Sequence, residues 1–168
     1  ETWLDAVPKR VKPGTARPDD SVYHFLLPDR AMAGYSDKVS KSLAGREMAA
    51  IREWKREFNK PCTGSQAKNL KKLSDAADRL WQAHTNQLRR LRADTTDVLV
   101  LFGQPEPEDR KKPTTTEWKD KKFQELLAQN TRWGSPYRRL KMAMDYWCAP
   151  WLWPIAKAGP LPTREEFL

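Results

Sequence analysis

A near-heptad stripe of apolar residues in the middle of the chain constrains the fold more than any other feature. Its members recur at steps of three and four residues and are Leu70, Leu73, Ala77, Leu80, His84, Leu88 and Leu91. Because an α-helix completes a turn every 3.6 residues, this spacing places them on one helical face. The pattern predicts a long helix that opens at Ser65, with His84 as a packed side chain on its buried face.

A second amphipathic pattern precedes this helix. Its apolar positions are Val39, Leu43, Ile51, Trp54 and Phe58. They lie between residues 36 and 59, Gly45 is expected to interrupt the helix, and Pro61 is a stop signal. Because only a short Pro-Cys-Thr-Gly link separates the two patterns, they predict an antiparallel helical hairpin.

Two further helices are predicted toward the carboxyl end. Thr116 is expected to cap the third helix, which runs to about Asn130. Ser135 followed by Pro136 predicts the start of the fourth helix. Proline is tolerated at the first helical position because the N–H group that it lacks would have no partner within the helix. The apolar side of the third helix consists of Trp118, Phe123, Leu126 and Leu127, and that of the fourth of Leu140, Met144, Trp147 and Trp151.

These patterns predict a mainly α fold: an antiparallel helical hairpin plus two further helices, with an extended N-terminal arm and irregular loops. Residues 1–35 are predicted to be the extended arm that packs on the core, and residues 36–168 the helical domain, within a single domain overall. In the arm, the apolar run from Val22 to Pro28 is expected to be strand-like. The apolar burst at 97–103 predicts a lone strand or a packed loop, and residues 104–113 a connection.

The last residues contain Thr163-Arg-Glu-Glu166, which matches the capping box that opens a helix. A single helical turn is not stable alone, because helix nucleation is costly and propagation must compensate for it. We therefore expect the chain to be excised from a longer protein.

Composition and motifs exclude several function classes. The chain has 168 residues and only 7 Gly, and it lacks GxGxxG, GxxxxGK[ST], HExxH and GxSxG, so no enzyme active site is predicted in it. Cys62 and Cys148 lie far apart, and His24 and His84 alone could join them, which argues against a metal site or a disulfide. The sequence shows neither a membrane-spanning run nor a leader, so we expect a cytoplasmic protein without membrane contact. The remaining enzyme hypothesis needs a deep pocket that holds His24 or His84 beside carboxylates.

Positive charge is the strongest functional indication. The net charge is +9, and the excess lies in residues 60–93, with eight Lys and Arg against two acids, and in residues 110–141, with ten against three. Cations spaced along helices suit the phosphate backbone of double-stranded DNA, although a solvated helical surface has the same composition. The predicted backbone contacts are Lys68, Lys71, Lys72, Arg89, Arg90, Arg92, Lys111, Lys112, Lys119, Lys121, Lys122, Arg138, Arg139 and Lys141.

Tryptophan is the second unusual feature, with eight in the chain and three of them crowded near the carboxyl end. The candidate interface residues of this segment are Tyr146, Trp147, Trp151 and Trp153. Their position on an apolar helix face beside prolines favours packing in a core or against a neighbouring domain over base stacking. The alternative function is therefore a docking scaffold that binds protein through this segment and does not bind DNA.

Three segments resemble a known family. They read SVYHFLLPDRAMAGYSDK at 21–38, SPYRRLKMAMDYWCAPWLWPI at 135–155 and LPTREEFL at 161–168. They resemble a helical, non-catalytic region of large single-chain adenine-specific DNA methyltransferases, the modification enzymes of restriction-modification systems and of phage-defence systems of the BREX and DISARM kind. The matching segments cover about a third of the chain directly and are most specific around Tyr146-Trp-Cys148.

The resemblance implies a bacterial parent chain that binds S-adenosylmethionine and methylates the exocyclic amine of an extruded adenine. The Asn/Asp-Pro-Pro-Tyr/Phe tetrapeptide and the cofactor loop that this chemistry needs do not occur here. The resemblance thus implies no catalytic residue and no cofactor site in this chain. It implies an accessory or spacer domain whose partners are DNA, the catalytic domain of the parent chain and subunits of a defence system.

Overall fold

The computed structural model describes residues 3–12, 14–97, 102–103 and 114–168, and over these ranges it is mainly helical and contains no β-strand. The mainly α fold class is confirmed. The α-helices are α1 (Lys38–Leu43), α2 (Gly45–Phe58), α3 (Gly64–Thr95), α4 (Thr116–Thr131), α5 (Pro136–Cys148) and α6 (Arg164–Phe167). Short 3-10 segments occupy His24–Leu26, Ala149–Trp151 and Ile155–Lys157.

Side-chain caps explain where most of these helices begin. Asp37 accepts a 2.6 Å hydrogen bond from the N–H of Ser40 at the start of α1, and the chain breaks between α1 and α2 beside Gly45, as predicted. Thr63 and Gln66 exchange hydrogen bonds in a capping box, so α3 starts at Gly64 rather than at Ser65. The cap of α4 is Thr115 and not Thr116, because its hydroxyl accepts from the N–H of Trp118.

The chain divides into two compact units, of which the first comprises residues 1–77 and 141–168 and the second residues 78–140. The hydrophobic core of the first unit joins α2 to the C-terminal segment. Met48 and Ile51 of α2 pack in one buried cluster with Ala33, Ala158 and Leu161. The cluster contains none of the leucines of α3, so the buried face of α2 is covered by the C-terminal segment rather than by the other helix of the predicted hairpin.

Hydrogen bonds tie residues 22–35 to the rest of the first unit. The N–H of Tyr23 donates to Ser74 Oγ at 3.2 Å, the N–H of Ala33 to the carbonyl of Pro150, and the indole of Trp147 to the carbonyl of Leu27. The expectation of a strand-like run at 22–28 is wrong, because His24–Leu26 forms a turn of 3-10 helix. A strand needs a neighbouring strand to pair with, and the described part of the chain has none.

The C-terminal turn is helical, as the capping box predicts. Thr163 and Glu166 exchange both hydrogen bonds of the box, and α6 follows. Phe167 lies edge-on to Phe58 at 4.8 Å between ring centroids and stacks on Tyr146 at 5.6 Å. These contacts to α2 and α5 stabilise a turn that would not persist alone.

In the second unit, α3 carries His84 and α4 carries Leu126 on their buried sides, and Leu140 is buried on α5. The predicted apolar side of α4 needs correction, because Leu126 alone of its four residues is buried. Trp118, Phe123 and Leu127 are exposed. The predictions for the apolar burst and for the connection concern mainly residues 98–101 and 104–113, which lie outside the described residues.

Candidate nucleic-acid interface

The predicted DNA contacts fall in both units. Lys68, Lys71, Lys72 and Lys141 belong to the first unit, Arg89, Arg90, Arg92, Lys119, Lys121, Lys122, Arg138 and Arg139 belong to the second, and Lys111 and Lys112 lie outside the described residues. The larger group is therefore in the second unit, where α3 ends, α4 runs and α5 begins.

Four of these cations are held by carboxylates. Lys71 pairs with Asp20 at 3.1 Å and Lys141 with Asp145 at 2.6 Å in the first unit. In the second unit, Lys122 pairs with Glu125 at 3.0 Å and Lys119 with Asp97 at 2.6 Å. An ion pair offsets much of the field of its cation, so these four lysines contribute less attraction for phosphate than their number indicates.

The other described candidates form no ion pair with an acidic residue of the described ranges. They are Lys68, Lys72, Arg89, Arg90, Arg92, Lys121, Arg138 and Arg139. All of them except the half-buried Arg138 are exposed. These are the side chains whose positive charge is available to a ligand.

Three of the unpaired cations are concentrated at the end of α3. Arg89, Arg90 and Arg92 lie on its last two turns, and at 100° per residue they span about 160° of the helix perimeter. Asn86 Oδ1 accepts from Gln82 at 2.9 Å and from Arg89 at 3.4 Å, which orients that guanidinium along the helix surface. The three arginines present a broad positive surface rather than a single point of charge.

Asp97 connects the end of α3 to the start of α4. Its Oδ1 accepts from both the N–H and the hydroxyl of Thr114 at 2.9 Å, and its Oδ2 accepts from Lys119 Nζ at 2.6 Å. The hydrogen bond from Lys119, followed by the two from Thr114, lowers the pKa of this carboxyl to about 2. This ion pair gives Lys119 a structural role in the second unit, and its contact with DNA stays a prediction.

The tryptophan-rich segment is used inside the first unit. Trp147 and Trp153 are half-buried, and their indoles donate to the carbonyls of Leu27 and Lys157 at 2.9 Å and 2.6 Å. Trp151 is half-buried and lies 5.6 Å from the ring of Trp147. Tyr146 is partly exposed, but its ring stacks on Phe167. All four residues thus take part in contacts within the first unit.

Sequence reasoning missed the tryptophans that are exposed. Trp81, Trp118 and Trp133 all belong to the second unit, and none of their indole N–H groups donates to a described residue. Two of them share a sequence pattern, a position in a stretch without acidic residues. Trp81 lies in residues 79–93, which contain four arginines and no acid. Trp133 lies between Glu125 and Asp145, and no acid occurs between those two residues.

The histidines of the enzyme hypothesis lie in different surroundings. His24 lines a cavity of about 750 Å³ in the first unit, together with Asp20 and Asp29, and its ring meets Trp147 edge-on at 5.4 Å. Asp20 is paired with Lys71, and Asp29 accepts from the N–H of Ala31. His84 is buried against Trp81 and Tyr137. Neither imidazole bonds to a carboxylate among the residues that the structure describes.

Within those same ranges, no group of His, Cys, Asp and Glu is arranged to hold a metal ion. None of the described helices is long and apolar enough to cross a membrane. No protein-family model, no curated protein and no solved structure matches the chain.

Proposed function

We propose that this chain binds DNA through the phosphate backbone, as a non-catalytic helical module of a DNA adenine methyltransferase whose reactive groups lie in other parts of the protein. The observation that carries the DNA contact is the arginine cluster Arg89, Arg90 and Arg92, since all three are exposed and none is paired with a described acid. A surface of unpaired arginines attracts phosphates wherever they occur, so the contact is independent of base sequence.

The methyltransferase part of the proposal rests on the three segments that resemble that family, and on the absence of its catalytic tetrapeptide from this chain. The docking-scaffold alternative has less support. It relies on the tryptophan-rich segment, yet Trp147 and Trp153 are held by hydrogen bonds within the first unit.

The direct test is fluorescence anisotropy with a labelled duplex of arbitrary sequence, repeated over a range of salt concentrations. We expect binding to weaken steeply with salt, with log K falling by about 0.9 per log unit of salt for each phosphate contacted. Replacement of Arg89, Arg90 and Arg92 by alanine should weaken binding to all sequences alike and reduce that slope.

The matched control removes three other exposed cations, Lys41, Arg46 and Arg52, which lie on α1 and α2 and have no ion-pair partner among the described acids. This variant loses the same total charge, so it should weaken binding far less if the arginine cluster is the contact. Absence of duplex binding at low ionic strength, or equal losses in the two variants, contradicts the proposal. Calorimetry with S-adenosylmethionine should show no binding to this chain.

A further inference from the structure

The exposed aromatic residues of the second unit allow the ligand to be specified further. Of the eight tryptophans, the five in the first unit are at least half-buried, and four of them donate their indole N–H to a backbone carbonyl. The three in the second unit are exposed, with Trp133 at 70%, Trp81 at 54% and Trp118 at 37%. Core packing accounts for the first group and leaves the second unexplained.

Two sets of contacts in the second unit include two of the exposed tryptophans, and we term them together the aromatic surface. The ring of His84 lies 6.3 Å from that of Trp81 on α3 and 5.3 Å from that of Tyr137 on α5. Tyr137 is followed by Arg138, whose guanidinium lies 4.8 Å from the ring of Trp133. Trp81, His84 and Tyr137 thus form one set of ring contacts, and Arg138, the chain neighbour of Tyr137, lies over Trp133. All of these rings except His84 are exposed.

Positive charge accompanies these rings. Trp81 lies in the acid-free stretch 79–93, and Arg92 follows it on the same face of α3, eleven residues or about three turns later. Trp133 and Tyr137 lie in residues 126–140, which contain Arg132, Arg138 and Arg139 and no acid. Flat apolar faces beside unpaired guanidinium groups are complementary to a ligand that alternates flat rings with negative charges.

We propose that the aromatic surface binds unpaired nucleotides, with bases stacked on Trp133, Tyr137 and Trp81 and phosphates on the neighbouring arginines. In a duplex the base faces are stacked on one another and inaccessible, whereas every base of a single strand has a free π-face. A protein partner could pack on the same aromatic residues, with carboxylates to match the arginines, but nothing requires its negative charges to recur at regular intervals. The negative charges of a nucleic acid do recur regularly, so the several arginines near these rings favour a nucleic acid as the ligand.

This inference rests on the proposed function and names its substrate class, a single strand held close to the duplex contact. The test compares fluorescein-labelled oligothymidylate of about 16 nucleotides, the upper range for such sites, with a duplex of the same length at fixed salt. The full chain is expected to bind the single strand more tightly. Trp133→Ala should weaken oligothymidylate binding on the order of tenfold and leave duplex binding within about twofold, because stacking is available only to unpaired bases.

Two variants serve as controls. Trp133→Phe keeps a flat aromatic ring, although a smaller one, and should restore part of the affinity for oligothymidylate. Leu152→Ala removes a highly exposed apolar side chain of the first unit and should change neither affinity. Because Trp133 is so exposed, its replacement should leave the circular dichroism spectrum and the melting temperature unchanged.

The outcomes separate the two proposals. Duplex binding with no preference for the single strand, and no effect of Trp133→Ala, overturns the inference and leaves the proposed function intact. If neither nucleic acid binds, both proposals fail. If Trp133→Ala abolishes self-association of the chain and leaves oligothymidylate binding unchanged, the aromatic surface is a protein interface and the inference is wrong.

Discussion

At the residue scale, the carboxylate of Asp97 makes the stability of the second unit depend on pH. The pKa of this group is about 2 in the folded chain against an ordinary 3.8, because Lys119 and Thr114 donate to its ionised form. A lowered folded-state pKa means that the ionised group stabilises the fold at pH values above about 4 and that this contribution disappears as the pH falls to about 2.

Asp97→Asn should therefore lower the melting temperature at neutral pH and flatten its decline between about pH 4 and pH 2. Thermal melts followed by circular dichroism over this range measure both effects. Asp120→Asn is the matched control, because Asp120 is an exposed residue of α4 without a described partner. An equal change in the two variants contradicts a specific role for Asp97.

Gly34 is a second residue at which a substitution is expected to have a clear effect on stability. A Cβ atom at this position would lie 2.6 Å from the carbonyl oxygen of Ala31, which is backbone and moves only with its turn. Gly34→Ala should destabilise the chain by about 1–3 kcal/mol, because the backbone must shift to admit the methyl group. Gly159→Ala is the control, since a Cβ there meets nothing within 4 Å and should change the free energy of unfolding by less than about 1 kcal/mol.

At the scale of elements, the short α6 is secured by Arg164. This side chain is buried, and its guanidinium donates to the carbonyl of Phe58, the last residue of α2, while a second N–H lies 3.5 Å from Cys62 Sγ. No described carboxylate pairs with it. The cation instead interacts with the carbonyl of Phe58 at the negative end of the α2 dipole.

Arg164→Ala should lower the free energy of unfolding by about 1.5–3 kcal/mol, the usual contribution of a hydrogen bond from a charged donor. Arg164→Lys should recover part of the loss, because the ammonium keeps the charge but not the planar fork. Urea denaturation followed by circular dichroism measures both variants. Glu165→Ala, which alters the exposed neighbour, should have little effect; a similar loss there would mean that α6 frays from any change.

The helices also differ in how many of their apolar side chains are buried. On α3, Leu70 and Ala77 are buried, whereas Leu73 and Leu88 on the same predicted stripe are exposed. On α4, three of the four residues on the predicted apolar side are exposed. Helical periodicity identifies which residues can face a neighbour, but it does not state whether a neighbour is present.

At the scale of the whole molecule, the net charge of +9 opposes compaction of the chain and favours the binding of polyanions. If the chain binds DNA, a duplex present at a hundredfold excess over its Kd should stabilise the folded state by about 2.7 kcal/mol and raise the melting temperature. Differential scanning fluorimetry at low and high salt measures this shift. The Arg89, Arg90 and Arg92 triple variant should lose most of it, and an undiminished shift would assign the contact to other cations.

The helices and most of their ends follow from local features of the chain. Asp37, Ser135 and the Thr163–Glu166 box act through hydrogen bonds within a turn. Proline acts locally because it lacks the N–H that a helix interior needs, and apolar periodicity depends only on 3.6 residues per turn. Such local interactions are readable because their partners are adjacent in the chain. The cap of α4 at Thr115 shows the usual limit, since three successive threonines offer equivalent caps.

Tertiary packing decides which tryptophans are buried. The crowded C-terminal indoles drew attention in the sequence, yet they bond to carbonyls such as that of Leu27, 120 residues away from Trp147. It also decides that Lys119 bonds to Asp97, whereas Arg92 has no carboxylate partner in the described ranges. Burial and pairing between distant residues depend on how the elements pack, and a side chain's type and local spacing do not contain that information.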